Sequence, residues 1–442
     1  VPIVVGDSVR YRAVRPPQPA PAVAADRPPA REIARSTPLR GRVGAHYLVI
    51  AQGGAGGTEP SGFTQPSLDV RLDGRPAPGT PLAVTVDVRA RRTVTNPSTG
   101  STIVDGHARA YQLALSWNPD RSAQRVTLGR QLSTAISSVG LFDGISLERT
   151  TPQWNAGVFA GTQPDAHDLG FSTDIVGGGA FVQRRAPRDA RGRQWSATLG
   201  VSGSYEQGHA NREFAFLQAV FSSRRIMTLV TQELDYYRPW KRESGMPAIS
   251  FTSTFAMLRV RASDGVDLVG GFDNRRNVLL YRDFVNPVTT FDDAFRQGIW
   301  AGAAFRFAGR YSGGLEIRRS SGGSAGSAGA YTASLGADRL AGGGIGIRGR
   351  GTYYYGPTLD GWLYSAALAG DPAGGRLHLE LSGGARVEHD QLAIPETATI
   401  TWIGTNLDVN LTRALYLLVS ASIERGGSAP LSQLYTGCSV RF

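Results

Sequence analysis

The chain has 442 residues, a mean hydropathy of −0.18 and a net charge of +11 that is almost entirely arginine, since Lys241 is the only lysine. No apolar run approaches the length of a transmembrane helix, which excludes a protein that crosses a membrane with helices. The single cysteine, Cys438, excludes an intrachain disulfide. The arginines form no basic tail or recognisable nucleic-acid module, so we expect no nucleic-acid partner.

Residues 1–40 differ in composition from the rest of the chain. Gly6–Arg12 is consistent with one short strand, and the proline-rich stretches at 15–21 and 27–29 are typical of a stiff, extended linker. We predict that residues 1–40 form a short periplasmic arm that can bind a periplasmic partner.

From residue 41 onward, apolar and polar residues alternate with a period of two. The alternation is clearest at 82–91, 194–206, 376–388 and 415–424. These segments reach the length of about ten residues that a tilted strand needs to cross a bilayer, whereas strands in soluble domains mostly have about five or six. We therefore predict an all-β fold in which residues 41–442 form one large antiparallel transmembrane β-barrel.

About 22 candidate strands can be counted, of which 66–73 and 145–148 are weak, so a barrel of 16–22 strands is predicted. Counted back from Phe442, short and long connections alternate, as periplasmic turns and outer loops do in such barrels. The segments 207–210, 356–359 and 185–193 do not fit this pattern. The alternation predicts that both termini lie in the periplasm.

Several aromatic residues lie near strand ends, where a ring can rest at the level of lipid headgroups. The alternative is the ordinary preference of tyrosine and tryptophan for strands. The predicted girdle residues are Trp117, Trp195, Tyr205, Trp300, Tyr353, Tyr355, Trp362 and Trp402.

The stretches Val126–Gln131, Gly140–Gly144 and Gly157–Gly161 are similar to a part of porin-like barrels. In those proteins, a strand that ends in Gly-Arg-Gln precedes a loop and a short return strand with Asp-Gly. The longest predicted loop opens at Asp273 and runs to about Gln297. It could fold inward as a constriction or cover the mouth of the barrel as a lid.

Arginines recur on the strand face opposite the apolar one. This assignment of faces is physically constrained, because an arginine side chain facing lipid at the bilayer midplane would destabilise the barrel by about 2–4 kcal/mol. A water-filled interior lined by guanidinium groups favours anions. The alternative is a ladder of arginines and acids that only stiffens the wall. The predicted pore-lining residues are Arg89, Arg91, Arg259, Arg261, Arg306, Arg318, Arg348, Arg350, Arg376 and Arg386.

Catalytic and metal-binding patterns are weak. The six histidines show no metal-ligand spacing, and His378 with Glu380 is best explained as two solvated groups of the inner wall. Gly322–Gly326 matches a nucleophile elbow only formally, because it lies in low-complexity sequence. We predict no enzyme activity, no cofactor and no metal.

The last ten residues alternate apolar with small or polar positions and end on Phe442. This segment resembles the C-terminal strand of Gram-negative outer-membrane β-barrels, although the last strand of a soluble sandwich is the alternative. The resemblance implies that Val440 and Phe442 form an insertion signal for the barrel-assembly machinery. It also implies contact with outer-membrane lipid and lipopolysaccharide.

The sequence therefore predicts a porin-like outer-membrane channel for passive or selective diffusion of small anionic solutes. Two other functions stay open. The barrel could be a structural or assembly component that binds partners through residues 1–40 and its loops, or an enzyme whose site is built from loop residues.

Overall fold

The computed structural model describes residues 39–442, except 54–60, 78, 98–99, 119–121, 244–246, 277, 279, 281–295, 322–325, 341–343, 391–396 and 427–429. The predicted periplasmic arm at 1–40 lies almost entirely outside the described residues. So does most of the predicted loop between Asp273 and Gln297. The role of each therefore stays a prediction.

The described residues form 22 strands and one four-residue helix, α1 (Pro239–Arg242), which lies between β11 and β12. The strands are β1 (Arg40–Gln52), β2 (Ser61–Gly74), β3 (Leu82–Asn96), β4 (Ile103–Trp117), β5 (Gln124–Gln131), β6 (Phe142–Thr150), β7 (Trp154–Thr162), β8 (Ile175–Ala186), β9 (Gln194–Glu206), β10 (His209–Ser222), β11 (Ile226–Tyr236), β12 (Ile249–Ser263), β13 (Val266–Arg275), β14 (Arg296–Phe307), β15 (Tyr311–Ser321), β16 (Ser327–Leu340), β17 (Ile345–Tyr355), β18 (Leu359–Gly370), β19 (Leu377–Asp390), β20 (Thr397–Asn410), β21 (Leu415–Arg425) and β22 (Leu431–Arg441).

Each strand pairs in antiparallel fashion with the next one in the chain, and β1 also pairs with β22, which closes the sheet into a barrel. The predicted all-β antiparallel barrel is confirmed, with 22 strands. The two weak segments are strands β2 and β6. In β2, Pro66 has no N–H to donate, and the pairing with β3 is interrupted between Thr64 and Ser67.

The connections differ between the two ends of the barrel. At the end that carries Arg40 and Phe442, here called the termini end, they are mostly short. At the other end, here called the loop end, several are long. The termini-end connections are 75–81, 118–123, 151–153, 187–193, 223–225, 264–265, 308–310, 341–344, 371–376 and 411–414. The loop-end connections are 53–60, 97–102, 132–141, 163–174, 207–208, 237–248, 276–295, 322–326, 356–358, 391–396 and 426–430.

Large apolar side chains cover the outside of the barrel. Val201 is 57 % exposed, Leu315 58 % and Leu335 70 %, and each alternates along its strand with residues of the opposite face. A soluble protein rarely exposes a continuous apolar surface of this kind, whereas a barrel in lipid requires it. No helix in the described part of the chain is long and apolar enough to span a membrane.

Most of the predicted girdle aromatics face outward, but Trp300 and Trp402 do not. Trp300 shares the inner face with Arg318, and Trp402 shares it with Glu424. Each indole lies over a glycine of the neighbouring strand. A Cβ atom would lie 2.5 Å from the Trp300 ring at Gly271 and 2.3 Å from the Trp402 ring at Gly384. The girdle prediction was wrong for these two residues.

The barrel closes where the last residue meets the first strand. The backbone of Phe442 exchanges hydrogen bonds with Gly41, with N···O distances of 2.9 and 3.1 Å. A Cβ atom at Gly41 would lie 2.3 Å from the Phe442 ring and 2.7 Å from Leu72. The terminal ring therefore occupies the space that the missing side chain of Gly41 leaves.

Gly41→Leu is expected to lower the free energy of unfolding by about 1–3 kcal/mol, the usual cost of overpacking. Urea titration of the heat-dependent shift in electrophoretic mobility measures it. Gly270→Leu is the control, because a Cβ there meets only the Trp300 carbonyl oxygen at 3.6 Å. In a Phe442→Ala background the cost should fall, and an equal cost there would contradict the packing described.

Candidate functional site: the barrel interior

Nine of the ten predicted pore-lining arginines lie on strands, on the face opposite the exposed apolar residues. Arg350, for example, pairs with Ser334 and Ser365, while its neighbours Ile347 and Tyr353 share the outer face with Leu368 and Trp362. Arg376 instead precedes β19 in the termini-end turn, where its N–H donates to the Ala373 carbonyl. The register thus brings the arginines to the inner wall, and their role in conduction stays a prediction.

Some inner-wall arginines are bound to acids. Asp87 accepts from Arg71 (2.5 Å) and Arg89 (3.3 Å). Asp267 lies 3.0 Å from Arg259 and 3.7 Å from Arg261. At these positions the wall carries arginine–acid pairs, and each acid is shared by two arginines, so it offsets half of their positive charge.

Other inner-wall arginines have no such partner. Arg348 and Arg350, two residues apart on β17, are exposed and make no ion pair or hydrogen bond with the described residues. Their neighbours on the adjacent strands, Gly336, Ser334 and Ser365, are small. The two guanidinium groups therefore face the interior without neutralisation, so the ladder does not account for the whole wall.

An apolar cluster fills another sector of the interior. Ile136, in the connection between β5 and β6, is completely buried. Its Cδ1 atom lies 2.5 Å from the Cβ position of Gly200 on β9. The residues that form this cluster with Ile136 are Phe142, Phe159, Phe181, Phe214 and Phe216. Residues 132–141 are therefore folded into the barrel, and this segment is here called the inward loop.

Two side-chain hydrogen bonds hold the inward loop to the wall. Ser138 Oγ donates to Glu233 Oε1 on β11 (2.5 Å), and Thr134 Oγ1 donates to Glu148 Oε1 on β6 (2.6 Å). The loop thus reaches from β6 to β11 and narrows the interior. The sequence pointed instead to the loop after Asp273, as either a constriction or a lid. Ile136 and Val139 were the missed signal, because apolar residues in an outer loop need a surface to cover.

The acceptor of the Ser138 bond belongs to a buried charge network. Arg212 Nε lies 2.7 Å from Asp235 Oδ1, and Arg212 Nη2 lies 2.6 Å from Glu233 Oε2. The guanidinium also lies 4.2 Å from the centroid of the Phe214 ring, and Thr252 donates to Asp235. This network connects β10, β11 and β12. Asp235 is only 1 % exposed, so water is largely excluded from its carboxylate.

The stretch that resembles porin-like barrels anchors two loops. Arg130 is paired with Asp143 through bonds of 2.6 and 2.7 Å, and it also donates to the carbonyls of Leu169 and Gly170 in the connection 163–174. Gln131 accepts from Ser146 Oγ at 2.7 Å and donates to nearby carbonyls. The Gly-Arg-Gln motif therefore fixes the strand end from which the inward loop departs.

Histidines take part in local contacts rather than in a metal site. His46 Nε2 lies 2.5 Å from Asp69 Oδ1, and its Nδ1 lies 2.8 Å from the Tyr435 hydroxyl, so the ring bridges β2, β1 and β22. His378 contacts Asp371 at 2.8 Å in an exposed turn. No group of three potential metal ligands occurs among the described residues, and 322–325 of the elbow-like motif lie outside them.

No protein-family model matches the chain, and no curated protein matches it. Solved structures do. The siderophore receptor PirA from Pseudomonas aeruginosa is 12 % identical with a TM-score of 0.54, and the match covers 92 % of this chain and 81 % of that one. The fold is that of a Gram-negative outer-membrane β-barrel.

Two further matches were found. The ferric enterobactin receptor PfeA from Pseudomonas aeruginosa, in a mutant form bound to enterobactin, is 10 % identical with a TM-score of 0.54, covering 92 % of this chain and 82 % of that one. OccAB4 from Acinetobacter baumannii is 11 % identical, covering 92 % and 99 %, with a TM-score of 0.38. At these identities the likeness concerns the fold alone.

Proposed function

We propose that this barrel is an outer-membrane channel for passive or selective diffusion of small anionic solutes. The observation that carries the proposal is the pair Arg348 and Arg350, whose guanidinium groups face the interior without an acid among the described residues. Guanidinium groups bind carboxylates and phosphates in bidentate fashion. The channel selects by charge and size, without covalent chemistry.

The inward loop supplies the size limit in this proposal. In the ring of 22 strands, β17 stands half-way around from β6, where the loop ends. A solute that passes Arg348 and Arg350 therefore faces the apolar cluster and the inward loop on the opposite wall. Such a constriction between a charged wall and an apolar wall favours small anions over large or cationic solutes.

The orientation follows from the connections. Barrels of this class keep short turns on the periplasmic side and long loops outside. We infer that the termini end faces the periplasm and the loop end faces the exterior. Val440 and Phe442, exposed on the outer face at the termini end, are then accessible to the assembly machinery that we propose as a partner.

Charge reversal of the two arginines tests the channel. Arg348→Glu with Arg350→Glu is expected to turn an anion-biased reversal potential in planar bilayers into a neutral or cation-biased one, because the free charge of this wall changes sign. Arg425→Glu is the matched control, since Arg425 shares the lipid-facing side of β21 with Ile423. An unchanged reversal potential would contradict the lining role. Absence of any conductance in the wild type would favour the structural or assembly function instead.

A further inference from the structure

A groove crosses the lipid-facing side of β14–β18. Small residues form parts of its floor, namely Ala301 and Ala303 on β14, Ala333 on β16 and Gly351 on β17. Ala333 and Gly351 pair directly, whereas Leu315 of β15 stands between Ala303 and Ala333. Its volume is about 600 Å³, within the range of ligand pockets. Its walls are formed by Leu315, Ile317, Tyr331, Tyr353 and Trp362. A depression of this shape and polarity accepts a hydrocarbon chain.

The wall toward the loop end is a rigid set of stacked aromatic rings. The Tyr353 and Trp362 centroids are 4.9 Å apart, Tyr331 lies 6.5 Å from Tyr353, and Tyr364 lies 5.8 Å from Trp362. Rings packed in this way lose little conformational entropy when a ligand binds beside them. Tyrosine and tryptophan also prefer the headgroup level of a bilayer. The end of the groove nearest the loop end of the barrel therefore lies at that level.

A cation lies just beyond this end of the groove. Arg319 pairs with Ile299 and Gly329, so it shares the outer face with the exposed Ile299. On β15 it lies two residues beyond Ile317. The strand rise puts it about 7 Å farther along β15. It is exposed and has no ion-pair or hydrogen-bond partner in the described part of the chain.

Among the described residues on the same row of the outer face, the one acid is remote from this cation. Asp360 lies on β18, three strands from Arg319, with Gly329 and Tyr355 between them. At the usual strand spacing that is about 14 Å. A positive charge on the lipid side is stabilised by contact with an anionic headgroup.

We propose that the groove binds an acyl chain of the lipid A part of lipopolysaccharide and that Arg319 binds its phosphate. The proposal rests on the orientation given above, because only then does the loop end lie in the leaflet that contains this glycolipid. Lipid A carries phosphate on the sugars to which its acyl chains are attached. One molecule therefore presents both the chain that fits the groove and the anion that a guanidinium binds in bidentate fashion.

Native mass spectrometry of the full chain, released from mixed micelles, tests the site with three probes. They are bisphosphorylated lipid A, the same lipid without phosphates, and phosphatidylglycerol. The wild type should retain the bisphosphorylated form best. Arg319→Gln should bind it at least about tenfold more weakly, as expected for the loss of the charge-assisted contact with phosphate, and should no longer distinguish it from the phosphate-free form.

Filling the groove tests the acyl-chain part separately. Gly351→Leu should weaken binding of both lipid A forms, and it can fold, because a Cβ there meets only the Tyr364 ring at 3.7 Å. Arg425→Gln and Ala421→Leu, on the lipid-facing side of β21, are the matched controls and should bind as the wild type does.

Equal retention of phosphatidylglycerol and lipid A would overturn the choice of ligand. Unchanged lipid binding in Arg319→Gln and Gly351→Leu would overturn the site. The site would also be overturned if the wild type showed the mass of a dimer and these variants did not, because the groove would then be a contact with a second copy. Conductance of the same variants separates this proposal from the channel. Loss of lipid binding with normal anion-selective conductance fits both proposals, whereas lipid binding in a barrel without conductance contradicts only the channel.

Discussion

Arg212→Leu is expected to lower the free energy of unfolding of the barrel by about 3–5 kcal/mol, because it leaves the buried Asp235 and the half-buried Glu233 without their counter-charge. Arg212 is the cation bound to both Glu233 and Asp235, and the Asp235 carboxylate is almost completely buried. Urea-induced unfolding in lipid vesicles, followed by tryptophan fluorescence and by electrophoretic mobility, measures the change.

The matched control is an arginine of the inner wall whose pair is exposed. Arg259 binds Asp267 at 3.0 Å, but half of its side chain is accessible to solvent. Arg259→Leu should therefore cost no more than about 1 kcal/mol. Adding Glu233→Gln and Asp235→Asn to Arg212→Leu should recover part of the loss, since no charge then stays buried. If Arg212→Leu and Arg259→Leu cost the same, the network does not stabilise the fold as described.

Ile136→Ala is expected to release the inward loop and to raise the single-channel conductance. A fully buried isoleucine contributes about 2–5 kcal/mol to stability relative to alanine. Here it stabilises the packing of the loop against the phenylalanine cluster and not the pairing of the strands. The loop should then open at unchanged global stability and become accessible to protease. Single-channel recording and limited proteolysis in the same vesicles measure both effects.

Leu132→Ala is the control within the same loop, because Leu132 is 47 % exposed and does not belong to the cluster. It should leave conductance and proteolysis unchanged. Ser138→Ala, which removes the bond to Glu233, should act in the same direction as Ile136→Ala but less strongly. An open loop with unchanged conductance would show that this loop does not limit the channel.

The faces of the strands could be predicted from the sequence because the period of two is a local property. Leu199 and Val201 on β9, and Leu379 and Leu381 on β19, lie on the exposed face as the alternation predicts. The same alternation puts Arg348 and Arg350 on the inner wall. The connections were predictable for a related reason, since turn and loop lengths appear directly in the sequence.

Whether an inner-wall arginine is bound to an acid was not predictable where it depends on neighbours distant in sequence. Arg212 is bound and Arg350 is free because β11 brings Glu233 and Asp235 to one and β16 brings Ser334 to the other. Trp300 and Trp402 turn inward because glycines of the adjacent strands make room for them.

The sequence by itself determined the class of fold, the lipid-facing side of the strands with clear alternation and the excess of arginine on the other side. Only the tertiary structure decided the number of strands, the closure of β1 on β22, the inward loop at 132–141 and the arginines left without acids. The reason is that alternation is set by the backbone of a single strand, whereas closure, constriction and charge pairing are set by contacts across the barrel.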